Sequence, residues 1–363
     1  MDMKNYAALA SFGPETFKTC FSKDENVLIS PLSLTLALAM VLNGAEGETQ
    51  EEMLKVISGG LSEDEFNTFL SEYVKGLPSD EKAKFHFADS LWMNEDLKVK
   101  KRFIKNCEDF YNAEVKKVFF DENAVREINA WVSEHTDGMI DQVIESAAPE
   151  AIMYLINALA FDAEWERLYT VDDVREGEFT DIYGEKAPVT YLNSEENYYI
   201  ENEKCTGFVK LYKGNRFAFL ALLPAETADL EAFIRSLTGE TLLLLLASAK
   251  NTPCICSLPK FKEDWSAIMN DVFRAIGLEK TFSDQAELSG IVKKMTSLGD
   301  VIHKTHIEVD ERGTKAGAVT AIMLKALGLP VEKPEVRLDR PFVYAIVDKD
   351  TGVPMFIGQK VLA

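Results

Sequence analysis

Histidine is scarce in this chain, with four among 363 residues. No H-E-x-x-H helix, nucleophile elbow or phosphate-binding glycine loop accompanies them, so the familiar enzyme constellations are missing and no catalytic role is expected. Cysteine is nearly as rare. Cys20, Cys107, Cys205, Cys254 and Cys256 are too few for a disulfide framework in so long a chain. Cys254-Ile-Cys256 has no nearby histidine or second pair, so it reads as two packing residues on one strand face, and neither metal nor cofactor is expected. No run of 18 apolar residues is present, which excludes a helical membrane span. The start, Met1-Asp2-Met3-Lys4, lacks a leader's charged-then-apolar layout. Either the protein is intracellular or a leader has been removed, and in the second case a secreted protein is expected. Asn251-Thr252 runs into Pro253 and no other Asn-x-Ser/Thr acceptor exists, a lean towards a bacterial or intracellular protein.

Positive charge is also in short supply: 39 Lys and Arg stand against 60 Asp and Glu, a net charge of −21. That balance argues against nucleic acid or a heparin-type polyanion as partner, because such ligands need a concentrated basic surface. No block of five or six like charges suggests an acidic tail. The acidity reads as solubility.

What is present is an ordinary globular composition, 47% hydrophobic and 27% charged. Residues 5–22 have helical apolar spacing. A short strand from Asn26 meets Ser30-Pro31, a capping serine before a first-turn proline. The helix that follows is apolar nearly all round and should be buried. Strands are expected at 85–93, 151–161, within 179–224, at 257–261 and at 301–309, with closing strands at 336–338, 342–347 and 355–357. Helices are expected at 49–57, 63–76, 99–111, 128–138, 230–237, 241–249 and 265–276. His86 reads as a half-buried strand residue, and His135 and His306 as structural or exposed. Helices and strands follow one another without βαβ regularity, which predicts an α+β protein with large antiparallel sheets. Asn157 interrupts an apolar strand and should have a designated partner, since an unpaired buried amide is costly.

The stretch Val309–Gly328 is unusual. Extended, it would place Thr314, Ala316, Ala318, Thr320, Ile322 and Leu324 on one side, small and uncharged before turning apolar. Lys315, Gly317, Val319, Ala321, Met323 and Lys325 fall on the other. Composition alone leaves two readings, a strand able to slide between two others or an alanine-rich helix with a frayed end. Gly328, Pro330 and Pro334 mark an exposed connection beyond it.

Glu311, Gly313, Thr314, Ala316, Ala318 and Thr320 resemble the hinge of the serpins, with Lys315, Gly317 and Val319 as departures confined to the outward side. The resemblance extends over residues 5–361 through Asn26–Thr49, Asn129–Ile140, Leu155–Arg167, Pro259-Lys260-Phe261, Phe282–Gly290, His303-Lys304, Arg340-Pro341-Phe342 and Phe356-Ile357-Gly358. It implies a single serpin domain of three β-sheets and eight or nine helices, with an exposed reactive-centre loop over 312–334. It also implies Ser30, Ser33, Asn157 and His303 as a polar "shutter" behind the main sheet, and Trp165, Lys260 and Glu311 at the "breach" where the loop enters. A Lys260–Glu311 ion pair is expected.

The function implied is suicide inhibition of a serine protease. The protease would attack the loop, form an acyl-enzyme and be dragged about 46 Å as some 14 residues insert at roughly 3.3 Å each. Family spacing puts the reactive bond at Leu327-Gly328, with Met323, Leu324, Lys325 and Ala326 as secondary bait. Elastase-like, chymotrypsin-like or subtilisin-like enzymes would fit a leucine there. The implied assembly is a monomer trapping its target one to one, with loop-sheet polymerisation as the family's hazard. A non-inhibitory serpin acting as carrier or chaperone is the alternative. Its members often spoil the hinge with bulky inward residues, and Thr314, Ala316, Ala318 and Thr320 are intact.

Overall fold

The computed structural model describes residues 3–80, 83–149, 151–226, 228–314 and 333–363. Helix α1 (Met3–Cys20) leads to β1 (Val27–Ile29) and α2 (Pro31–Leu42). Ser30 caps α2 by accepting a hydrogen bond from the Ser33 amide, and all twelve residues of the helix are buried, as its all-round apolarity requires. Then come α3 (Gly47–Ile57), α4 (Glu63–Lys75), β2 (Ser79–Asp80), β3 (Ala83–Asn94), α5 (Lys101–Tyr111), β4 (Glu114–Val118), α6 (Glu122–His135) and β5 (Met153–Glu164). A 3-10 turn at Val171–Asp173 precedes β6 (Val174–Thr180), β7 (Lys186–Glu201), β8 (Cys205–Leu211) and β9 (Phe217–Pro224). The chain continues through α7 (Leu230–Ser236), α8 (Gly239–Ser248), β10 (Lys250–Pro259), β11 (Phe261–Ile268), α9 (Asn270–Ala275) and β12 (Asp300–Val309). It closes with β13 (Gly313–Thr314), β14 (Glu335–Arg337), β15 (Phe342–Asp348) and β16 (Pro354–Lys360).

One sheet has seven strands in the order β11-β12-β13-β5-β3-β2, with β4 beside β3. Its centre is mixed: β5 runs antiparallel to β3 and parallel to β12. The other sheet has nine strands, β1-β16-β15-β9-β8-β7-β10-β14, with β6 on β7. Hydrogen bonding therefore joins two of the three expected sheets into one, because β7 pairs with β6 and β10 along most of its length and with β8 at its end.

The main core fills the space between the sheets and around α2. A second apolar layer, with Trp92, Trp131, Ile128 and Ile156, lies between the opposite face of the seven-stranded sheet and α6. The helix expected over 265–276 is instead the end of β11 followed by α9. Tertiary pairing overrode local spacing there: residues 261–268 lie antiparallel to β12 along their whole length, with Phe261 and Trp265 turned into the core.

Candidate functional site

Three neighbouring strands place Asp89, Asn157 and His303 side by side, since Asp89 is the register partner of Asn157 and Asn157 that of His303. Residues directly opposite share a face, and this face looks onto the start of α2. The Ser30 amide donates to His303 Nε2 at 3.0 Å, and His303 Nδ1 lies 2.6 Å from Asn157 Oδ1. With Nε2 accepting, the proton belongs on Nδ1 and the ring is neutral. Asn157 Nδ2 donates to Ser33 O at 2.8 Å, to Ser33 Oγ at 2.6 Å and to Asp89 Oδ1. The four shutter residues of the sequence reading are thus in one network. Burial holds the His303 imidazole down at about 3 and pushes the Asp89 carboxyl up to about 7, the latter against the hydrogen bond from Asn157.

Sequence reasoning missed Asp89. Its signal was present, a carboxylate inside the apolar strand Phe85–Met93, but nothing local says which amide it faces.

At the upper end of the sheet β5 and β12 diverge, and β13 occupies the gap. Gly313 and Thr314 pair with Glu164 and Ala163 of β5, and Thr314 also pairs with Val309 of β12. Below them β5 and β12 are bonded directly, from Asp300↔Tyr154 to His306↔Ala160. A Cβ at Gly313 would stand 1.8 Å from the Ala163 carbonyl oxygen, so the strands close here only on glycine. Thr314 is fully buried, and its hydroxyl is 2.8 Å from Tyr212 Oη.

The Trp165 ring stacks on Tyr212, with centroids 4.4 Å apart, and its Nε1 donates to the Asp310 carbonyl at 3.0 Å. The Trp165 and Tyr169 amides donate to the Arg312 and Glu311 carbonyls at 2.7 and 2.9 Å. Lys260 Nζ stands 2.7 and 2.9 Å from the two Glu311 oxygens. Burial works to raise the Glu311 carboxyl, but the Lys260 ammonium and a backbone hydrogen bond outweigh it and hold it below the usual range. Arg312 is held by Glu164 at 2.9 Å, and Glu164 also takes Lys213 at 2.8 Å. Trp165, Lys260, Glu311, Gly313 and Thr314 therefore converge.

Of the other expected residues, Ala316, Ala318, Thr320, Met323, Leu324, Lys325, Ala326, Leu327 and Gly328 lie outside the described residues. His135 stacks on Trp131 at 4.0 Å, and the buried His306 faces Asp264 at 2.8 Å. Cys254 and Cys256 are buried on one strand face, their sulfurs 3.4 Å apart. Among the described residues no group of three or more His, Cys, Asp or Glu is placed to hold a metal ion.

The family model for serpins (serine protease inhibitors) matches residues 7–362. An uncharacterized serpin-like protein of the archaeon Thermococcus kodakarensis is 30% identical over 361 residues, 97% of this chain and 84% of that protein. The thermophilic serpin tengpin in its native state is 43% identical, with a TM-score of 0.95 over 100% of this chain and 95% of that one. Tengpin in its latent state gives 0.88 at 42% identity, over 99% and 98%.

Proposed function

The chain belongs to the serpin family, and from that premise we propose that it is a suicide-substrate inhibitor of serine proteases. The observation that carries the reading is the arrangement of β13. The first two residues after the Asp310–Arg312 turn already lie between β5 and β12, while those strands remain paired below. The seam is opened at one end only.

Continued in the same antiparallel register, the loop would set Ala316 beside Phe161, Ala318 beside Leu159 and Thr320 beside Asn157. Its small uncharged side would face the main core, to which Phe161 and Leu159 belong. Gly317 and Val319 would face the α6 layer, beside Ala160 and Ala158. Each step breaks a β5–β12 bond and makes bonds to both neighbours, so insertion gains one whole ladder. About ten such bonds at roughly 1 kcal/mol net give a driving force on the order of 10 kcal/mol.

In the chemical step the protease serine oxygen attacks the Leu327 carbonyl carbon, and the bond to the Gly328 nitrogen breaks. The freed amine leaves with the proton and Leu327 stays as an ester on the serine. Insertion then removes the ester from the new amine and carries the enzyme along the sheet. Asn157 must exchange His303 for the incoming strand, so the shutter network sets the resistance to opening. A leucine at the bond suits chymotrypsin-like, elastase-like or subtilisin-like enzymes.

The test is to mix the protein with equimolar elastase, chymotrypsin and trypsin, run denaturing gels and weigh the released peptide. A covalent band at the summed mass with a peptide beginning at Gly328 is expected. Cleavage without that band and without a rise in melting temperature would overturn inhibition in favour of a carrier or chaperone role.

A further inference from the structure

Residues two apart on a strand share a face, and on β10 this sets Cys254 and Cys256 side by side in the main core, with Leu258 beyond them. Their sulfurs are 3.4 Å apart. Cys254 Sγ also lies 3.6 Å from the Glu196 carbonyl oxygen, and Cys256 Sγ lies 3.8 Å from that of Cys254. The two side chains are turned along the strand toward each other, since side chains standing straight out would be about 6.6 Å apart. The Cys256 thiol directed at Cys254 holds Cys254 below the ordinary thiol range, while burial pushes Cys256 up. Cys254 is therefore the better nucleophile of the two.

The same stretch of β10 holds β14. Ile255 pairs with Glu335, Cys256 with Val336 and Ser257 with Arg337. The Ile255 amide donates to the Pro334 carbonyl at 2.8 Å, and the Leu338 amide donates to the Ser257 carbonyl at 3.0 Å. β14 ends its sheet, is three residues long and buries only Val336. An edge of that kind opens at far less cost than the whole fold. A disulfide usually spans about 5.5–6 Å between Cα atoms, so a bridge between Cys254 and Cys256 would draw them together by roughly 1 Å and buckle Ile255 between them. The β7 side has slack, because the β7–β10 register already shifts between Asn251 and Cys254. The β14 side has none, since a buckled Ile255 cannot keep its bond to Pro334.

We propose that Cys254 and Cys256 form an oxidation site, a dithiol that a small hydroperoxide converts to an intrastrand disulfide when β14 leaves the sheet edge, and that the bridge then keeps β14 off. With β14 in place both sulfurs are fully buried and Ile255 is held flat, so the reduced form is protected. Once the edge opens, the Cys254 sulfur attacks one peroxide oxygen and the O–O bond breaks. Cys254 becomes a sulfenic acid, and the departing hydroxide takes the Cys254 proton as water. The Cys256 sulfur then attacks the Cys254 sulfur, the S–O bond breaks, and hydroxide leaves with the Cys256 proton as a second water. The two sulfurs give up two electrons and the peroxide takes them. β14 follows the expected loop at its far end as β13 begins it at the near one, so the bridge leaves the loop tied on one side. The chemistry itself does not depend on the inhibitory reading.

The test is to treat the full chain with excess hydrogen peroxide, quench, and weigh the tryptic peptide Asn251–Lys260, which contains both cysteines. The wild type is compared with Val336→Ala, which trims the one buried side chain of β14. The peptide less two hydrogens is expected to accumulate at least tenfold faster in the variant. Wild type warmed to just below its melting transition gives the same comparison without a substitution. Hydrogen exchange of the bridged protein should show the Ile255 and Leu338 amides losing at least tenfold in protection, with dithiothreitol restoring both. Cys254→Ser/Cys256→Ser should keep that protection in peroxide. Equal bridging rates in wild type and variant, sulfinic acid in place of the disulfide, or unchanged protection in the bridged protein would each overturn the proposal.

Discussion

Lys210 Nζ lies 2.7 Å from Glu196 Oε1, and both side chains are buried beneath the hinge. The ammonium also stands 5.3 Å from the Trp165 ring centre and 4.3 Å from that of Tyr169. These are the residues that bond the Asp310–Arg312 turn, so the ion pair underlies the platform on which the hinge rests. Burial pulls the Lys210 ammonium below the ordinary lysine range, against the attraction of Glu196.

Breaking that pair from one side should therefore be severe. Glu196→Leu is expected to destabilise by about 3–5 kcal/mol, because it leaves an uncompensated buried charge. Lys210→Met/Glu196→Leu should recover most of that loss. Thermal unfolding of the two variants decides the matter, and equal melting temperatures would mean that the pair is not coupled.

Thr314 offers a sharper separation of folding from inhibition. Thr314→Arg puts a long charged side chain where the wild type has a fully buried hydroxyl on Tyr212. Covalent complex should fall at least tenfold while loop cleavage continues, whereas Thr314→Ser should remain near wild type. The readout is the ratio of complex to cleaved protein on denaturing gels.

Acid should act on the shutter in two opposing ways. Native His303 stays neutral down to about pH 3, while an unfolded histidine takes its proton near 6.5, so acidification between those values favours unfolding. Native Asp89 takes a proton below about pH 7, while an unfolded aspartate waits until about 3.9, so acidification over that window favours folding. Asp89→Asn removes only the second effect. It should raise stability above pH 7, by roughly 4 kcal/mol at 1.36 kcal/mol per pKa unit, and lose the advantage as pH falls to 4. Melting curves of the two proteins that ran parallel from pH 4 to 8 would contradict this.

Lys260→Glu tests the half-exposed ion pair over the hinge. Its net worth is at most about 1 kcal/mol after solvent screening, but charge reversal sets two carboxylates against each other at the loop's entry. A lower melting temperature and faster conversion to an inserted, inactive form are expected, with Lys260→Glu/Glu311→Lys restoring both. Unchanged values in the single variant would remove the pair from the mechanism.

Much of this protein was legible from residue order alone. Ser30-Pro31 starts α2 and an all-apolar surface buries it, because capping and periodicity act within a few residues. Gly313 and the small, uncharged Thr314 that follows it could be read the same way, and so could the need of Asn157 for a partner. Partners themselves were decided by the fold. Asp89, Asn157 and His303 form a row only because β3, β5 and β12 take one register. Lys210 finds Glu196 only through the turn between β7 and β8. The first part of the helix expected over 265–276 yielded to β12 for the same reason, leaving only Asn270–Ala275 helical. Caps and periodicity are short-range properties that each segment carries with it, whereas register and charge neighbourhood arise between strands distant in the chain, and packing alone selects them.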